Sequence, residues 1–235
     1  MVLKQTEFTF EEYPHEGLSG IKFLATRKRD GKKFIVKHQV REDVINEFIN
    51  YSVAHELGLK TPEFYLFERD ECGKLFKSWY AIAIEFIDIV EPRGAMNPEG
   101  GTINWSDYYS FIAMKAALLH TDDYSEIVRC KDGYLYFIDT AESLSFNATS
   151  DVIFAFIKNF YDHGQVHYKD YDGWGDFYIE TINKLADLPT QKISKFLDKL
   201  CEVFPLDIKG LLKTHFLDYF DKCQVACKKF INNLK

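Results

Sequence analysis

The chain has 235 residues, of which 46% are hydrophobic and 28% are charged, a composition typical of a globular protein with a substantial core. Its formal net charge of -7 at pH 7 excludes the broad positive surface of a protein that coats nucleic acid or anionic lipid. The sequence lacks both an apolar stretch of the roughly 18 to 20 residues that span a bilayer and an N-terminal export signal. We therefore expect a cytoplasmic protein that binds neither nucleic acid nor membrane directly.

The N-terminal part of the chain is predicted to be rich in β-structure, in the order β-β-β-α-β-β. The Asp30-Gly31 dipeptide lies between two β-type runs and favours the tight turn of a hairpin. Gly58 follows a helical pattern and is typical of a helix end, because glycine adopts the left-handed conformation without strain. The elements predicted after the first strand are residues 21–28, 33–38, 41–57, 63–68 and 79–87.

The rest of the chain is predicted to be mainly helical. A stretch rich in proline and glycine, residues 91–104, is expected to be a hinge between a β-rich lobe, residues 1–90, and a helical lobe, residues 105–235. Gly164 argues against a helix that includes His163 and His167, so this histidine pair is not interpreted as a metal site. The predicted elements are helices at 105–119, 151–161, 176–186, 190–203 and 208–234, and a hairpin of strands 127–130 and 134–139.

A lysine and a glutamate form the first candidate pair of functional residues. Lys37 ends a predicted strand, and Glu47 lies in the first half of the next helix. Val44 and Tyr51 lie one turn to either side of Glu47, so its carboxylate projects from a partly apolar stripe and needs a cation. Such a pair holds an amine against the phosphates of a nucleotide in phosphoryl transfer. The alternative is an exposed lysine at a strand end and an ordinary glutamate of an amphipathic helix.

Two acidic residues form the second candidate constellation. Asp122 lies in a turn after a predicted helix, and Asp139 ends the second strand of the hairpin that follows. Phosphoryl-transfer enzymes use this layout to place a base beside a magnesium ligand. Asp122 would then orient or deprotonate the attacking hydroxyl, and Asp139 would bind magnesium. The alternative is that Asp122 caps a turn and Asp139 is a polar strand end.

These motifs, in this order, resemble those of HipA-like kinases over roughly residues 17–146. The turn His120-Thr121-Asp122-Asp123 resembles the catalytic turn of that family, and Phe137-Ile138-Asp139 resembles the strand with its metal-binding aspartate. The N-terminal motifs that carry the resemblance are Gly17-Leu18-Ser19-Gly20-Ile21-Lys22, Phe34-Ile35-Val36-Lys37, Asn46-Glu47-Phe48, the segment from Glu56 to Pro62, and Ile84-Glu85-Phe86-Ile87-Asp88.

The resemblance implies a two-lobed protein-kinase-like fold of the α+β class and an ATP- and magnesium-dependent kinase that acts on serine or threonine of a protein. Lys37 would contact phosphate, and Glu47 would hold Lys37. The glycine-containing loop would cover the phosphates, and backbone groups of the 85–87 segment would face adenine. The implied site residues are Asp122 and Lys37 for catalysis, Gly17, Ser19, Gly20, Lys37, Glu47, Glu85, Phe86 and Ile87 for ATP, and Asp139 and Glu126 for magnesium.

The chain departs from the family pattern at one metal ligand. Relatives carry an asparagine five residues after the catalytic aspartate, where this chain has Ile127. If the loop is one residue shorter, Glu126 takes that position and offers a carboxylate. Ser19 lies where some relatives carry a self-phosphorylated serine, and phosphorylation there would expel ATP through added negative charge.

Two other functions remain open beside protein phosphorylation. One is a pseudokinase that binds nucleotide as a scaffold, with Ile127 marking the lost metal ligand. The other is a small-molecule kinase of the aminoglycoside type, whose His-Gly-Asp turn is not far from His120-Thr121-Asp122. A protein substrate and an antitoxin or regulatory partner are further expectations from the resemblance.

Overall fold

The computed structural model describes most of the chain, and the helices and strands below are those of the described residues. These are residues 2–17, 20–38, 41–67, 80–91, 104–120, 127–138, 140, 143–144, 147–167, 173–203 and 206–234. The strands are β1 (Val2–Leu3), β2 (Phe8–Gly17), β3 (Gly20–Arg27), β4 (Lys33–His38), β5 (Phe64–Phe67), β6 (Ala81–Glu85), β7 (Ile89–Glu91), β8 (Ile127–Cys130) and β9 (Leu135–Phe137). The α-helices are α1 (Arg41–Glu56), α2 (Trp105–Ala117), α3 (Ser150–His167), α4 (Trp174–Ala186), α5 (Thr190–Val203) and α6 (Leu206–Asn233).

Six strands form an N-terminal sheet in the order β1-β5-β6-β4-β3-β2. All neighbouring strands in it are antiparallel except β1 and β5, which are parallel. The predicted hairpin is confirmed as β3 and β4, and Gly31 in its turn has a φ of +71°. A positive φ is strained for residues with a Cβ, so glycine at this position is required by the turn. The β-rich sheet followed by helices confirms the predicted α+β fold class.

Helix α1 is buried over most of its length. Its first turn carries Glu42 and Asp43, which interact favourably with the positive end of the helix dipole. At its C-terminal end Gly58 has a φ of +80°, and Leu59 N–H donates to the Ala54 carbonyl, so the predicted helix end is confirmed. Residues 44–54 are all buried, because α1 contacts β5 and β6 as well as α5. Helix α1 is therefore buried on more of its surface than the sequence predicts, which indicates only one partly apolar stripe.

The second sheet and the other helices form the rest of the molecule. Strands β7, β8 and β9 pair in that order, and the β8–β9 hairpin turns at Gly133 with a φ of +84°. Helix α2 contacts α3 and α4, and α6 packs against α3, α4 and α5. One hydrophobic core runs from α1 and strands β5 and β6 through α2 to the C-terminal helices. The proposed hinge, residues 91–104, lies largely outside the described residues, so the division into lobes stays a prediction.

The structure corrects the expectation that Gly164 interrupts a helix. Helix α3 continues through Gly164 to His167, and the rings of His163 and His167 lie 4.1 Å apart, centroid to centroid. A Cβ at Gly164 would lie 1.7 Å from Cζ2 of Trp174, so the indole packs directly on this part of α3. Glycine here permits close contact between two helices instead of ending one. Among the described helices, none is long and apolar enough to cross a bilayer.

Candidate functional site

Lys37 and Glu47 form a buried ion pair. Strand β4 ends just after Lys37, and α1 begins three residues after the strand, which brings the two side chains together from neighbouring elements. Lys37 Nζ donates to Glu47 Oε1 at 2.5 Å, and the side chains are 8% and 0% exposed. Lys37 is therefore not an exposed strand-end lysine. A charge-assisted hydrogen bond between buried groups fixes the position of the ammonium.

The Lys37 side chain lies at the wall of a cavity between the two sheets. The cavity has a volume of about 200 Å³ and is predominantly apolar. Its lining residues are Tyr13, Ile35, Lys37, Tyr51, Ile84, Glu85, Phe86, Ile87, Ile89 and Ile138. The cavity thus joins Lys37 to the 85–87 segment, two parts of the predicted site that are far apart in sequence. Apolar walls with one buried cation suit a flat, partly apolar ligand that carries negative charge.

The 85–87 segment uses part of its hydrogen-bonding capacity inside the sheet. Glu85 N–H donates to the Glu63 carbonyl and Phe86 N–H to the Lys33 carbonyl, both at 2.8 Å. The Glu85 carboxylate pairs with Lys32 at 2.8 Å and also accepts from Glu63 N–H at 2.9 Å. A backbone donor from this segment to a ligand must therefore be Ile87 N–H, while its carbonyl groups are the acceptors it could offer.

The two glycines of the predicted phosphate loop lie at the tip of the β2–β3 hairpin. Gly17 ends β2, Gly20 begins β3, and the two residues are paired across the hairpin. Ser19 lies outside the described residues. The register of the two strands shifts between Tyr13 and Gly17. Tyr13, on β2, lines the cavity and packs edge to face on Phe86, with ring centroids 6.3 Å apart.

The predicted acidic residues Asp122, Glu126 and Asp139 lie outside the described residues, so their roles stay predictions. Their described chain neighbours are close to one another. His120 is 1% exposed, and its ring lies 5.1 Å from that of Phe137, centroid to centroid. Within the described ranges, no group of three or more His, Cys, Asp or Glu residues could hold a metal ion.

Periodicity could have identified several of the cavity residues that sequence reasoning missed. Ile35 lies two residues before Lys37 on β4, and side chains two apart in a strand share a face. Tyr51 lies one helical turn after Glu47. The sequence places it in a partly apolar stripe of the helix but does not show that this stripe lines a cavity. Tyr13 carries no such signal, because the register shift in β2 is not visible in the sequence.

Comparison with known proteins supports the fold. No protein-family model and no curated protein matches the sequence. Among solved structures, the crystal structure of a Helicobacter pylori proinflammatory kinase, CtkA, matches with a TM-score of 0.62 at 12% sequence identity, over 100% of both chains. At this identity the likeness shows the fold alone. The chain therefore has a kinase-like fold, and membership of the HipA-like family stays an expectation from the sequence.

Proposed function

We propose that the chain is a phosphotransferase that binds ATP with magnesium and transfers the γ-phosphate to a serine or threonine hydroxyl of a protein. The observation that carries the proposal is the buried Lys37–Glu47 pair at the wall of the cavity in a kinase-like fold. The structural neighbour from Helicobacter pylori is described as a kinase, which supports the same reaction class. A fixed ammonium in a partly desolvated cleft stabilises phosphate charge more strongly than one in water.

The proposal assigns roles to residues on both sides of the cavity. Lys37 binds the phosphates, Glu47 holds Lys37, and the backbone at Ile87 contacts adenine. The glycine hairpin at Gly17 and Gly20 covers the phosphates. Outside the described residues, Asp122 is the proposed base, Asp139 and Glu126 are the proposed magnesium ligands, and Ser19 is a proposed phosphorylation site. Bound magnesium would supply charge neutralisation between the phosphates.

Nucleotide titration with matched lysine variants tests the proposal. We expect the wild-type chain to bind ATP more tightly with magnesium than without it, and to consume ATP. Lys37→Met should lower turnover by about a hundredfold or more, because it removes charge that stabilises the transition state. Lys33→Met is the control, since it makes the same change at an exposed position of β4. A wild-type chain that binds no nucleotide, or a Lys37→Met variant with unchanged turnover, would contradict the proposal.

A second candidate function is a nucleotide-binding scaffold without phosphotransfer. It is favoured by Ile127, which stands where relatives in the suspected family have a metal-binding asparagine. Ile127 is 0% exposed and pairs with Phe137 between β8 and β9, and its hydrocarbon side chain has no atom that could ligate a metal. Tight ATP binding without turnover, in conditions where magnesium and candidate protein substrates are supplied, would favour the scaffold over the enzyme.

A further inference from the structure

Two buried asparagines of α1 bind the segment that follows Asp139. Asn50 Nδ2 donates to the Thr140 carbonyl at 2.9 Å and to Ser143 Oγ at 2.5 Å. Asn46 Nδ2 donates to the Ser143 carbonyl at 2.9 Å. The asparagines are 1% and 9% exposed, and Thr140 is 0% exposed. We call these four residues the asparagine anchor; it joins α1 to a segment about ninety residues further along the chain.

The same segment is also bonded to the end of α2, just before the predicted catalytic turn. Leu144 N–H donates to the Leu118 carbonyl at 2.9 Å. Leu144 has a φ of +61° and Leu119 a φ of +52°, and among the described residues these are the non-glycine residues with positive φ. Such conformations are unfavourable for leucine and persist where surrounding contacts hold them. The hydrogen bonds of Thr140, Ser143 and Leu144 therefore constrain two segments of the proposed site at once.

We infer that Asn50, assisted by Asn46, is a positioning residue that holds the chain beside Asp139 at a fixed position relative to the Lys37–Glu47 pair. The inference rests on the proposed function, in which Asp139 binds magnesium. Ile138, which precedes Asp139, lines the cavity, and Thr140, which follows it, is bonded to Asn50. Glu47 lies on the same helix as Asn50. Helix α1 is therefore bonded both to Lys37 and to the segment beside Asp139, and it fixes the position of one relative to the other.

The amide at position 50 supplies the hydrogen bonds by which this turn of α1 holds the segment. A buried carbonyl such as that of Thr140 needs a donor, and the Asn50 amide supplies it from α1. An apolar side chain of similar size would fill the same space but leave this carbonyl with the longer hydrogen bond from Ser143 Oγ at 3.2 Å, whose donor lies in the same segment and not on α1. A carboxylate of the same shape would place one of its oxygens against the Thr140 carbonyl oxygen. Asn50→Asp is therefore the sharpest single change, since it keeps the volume and removes both N–H donors.

Hydrogen exchange of the whole chain, read by mass spectrometry, tests the anchor directly. In Asn50→Asp we expect exchange of residues 138–144 to accelerate by about tenfold or more, because lost buried hydrogen bonds favour local opening. We also expect ATP turnover to fall by about tenfold while magnesium-free ATP affinity stays within about twofold. Ser52→Ala is the control, because it removes a buried hydrogen bond to the Phe48 carbonyl in α1 without touching the segment.

Unchanged exchange of residues 138–144 in Asn50→Asp would overturn the inference, whether or not the wild-type chain binds ATP. Faster exchange with wild-type turnover in an active protein would also overturn it, since the anchor would then be structural only. If the wild-type chain binds no ATP, the proposed function fails, and the exchange measurement still decides whether the anchor holds the segment. If Asn50→Asp does not fold, Ser143→Ala at the half-buried end of the anchor should give a smaller acceleration in the same residues.

Discussion

Removing the charges of the Lys37–Glu47 pair singly and together would separate its structural role from its proposed chemical role. Glu47→Leu leaves the Lys37 ammonium, whose side chain is 8% exposed, without its carboxylate partner. Lys37→Met leaves the fully buried Glu47 carboxylate without its ammonium partner. Breaking a buried pair by removing one partner costs about 3–5 kcal/mol, because the charge that remains in the interior loses that counter-charge.

The double variant Lys37→Met/Glu47→Leu should behave differently. Replacing both members of a buried ion pair by apolar residues of similar volume is often neutral or stabilising, because the desolvation of two charges is avoided. We therefore expect its free energy of unfolding to lie within about 1 kcal/mol of the wild-type value or above it. Nucleotide affinity should not recover, since the cation proposed to bind phosphate is absent.

Urea unfolding followed by tryptophan fluorescence, together with ATP titration of the same samples, measures both quantities. The loss of about 3–5 kcal/mol in each single variant is a large share of the about 5–15 kcal/mol by which folded domains are stable. A double variant no more stable than the weaker single variant would refute the reasoning about desolvation. A double variant that binds ATP as tightly as the wild-type chain would refute the role of Lys37.

Two further predictions test packing and ionisation away from the cavity. Gly164→Ala should destabilise the chain by about 1–3 kcal/mol in thermal unfolding, because its Cβ would overlap the Trp174 indole. Gly210→Ala in α6, where a Cβ would meet nothing within 4 Å, should instead stabilise the chain by about 0.5–1 kcal/mol. Equal melting temperatures for the two variants would contradict this. Burial first, and then the negative charge of Asp132, raises the pKa of Cys130 to about 11. Its alkylation at pH 8 should be about a hundredfold slower in the folded chain than in urea, and equal rates would contradict the assignment.

Local signals in the sequence were sufficient to predict most elements near the site. Asp30-Gly31 predicts the β3–β4 turn, and Gly58 predicts the end of α1, because both depend on the backbone preferences of one or two residues. The Lys37–Glu47 pair is predictable for a related reason. Its members are separated by one short strand-to-helix connection, so the strand end and the helix face determine their approach.

Features that depend on distant packing were not predictable in the same way. Gly164 reads locally as a helix breaker, and only the position of Trp174 explains a glycine inside α3. The cavity walls come from strands whose register includes an irregularity near Tyr13. The bond from Asn50 to the Thr140 carbonyl joins residues ninety positions apart. No periodicity in a single sequence specifies which distant carbonyl a buried amide will meet.

The polar residues of α1 are the link between the fold and the proposed chemistry. Asn46, Glu47 and Asn50 are buried in a helix enclosed by apolar neighbours, where a polar side chain must be hydrogen-bonded or paired to offset its desolvation. Glu47 bonds to Lys37 on strand β4, and the two asparagines bond to Thr140 and Ser143. The three polar groups thus connect α1 to a lysine at the cavity wall and to the segment that follows the wall residue Ile138. Departures from an apolar core are concentrated at functional sites. Lys37 lines the cavity, and Thr140 lies two residues after Ile138, which also lines it, so the three polar groups are placed to align the proposed site.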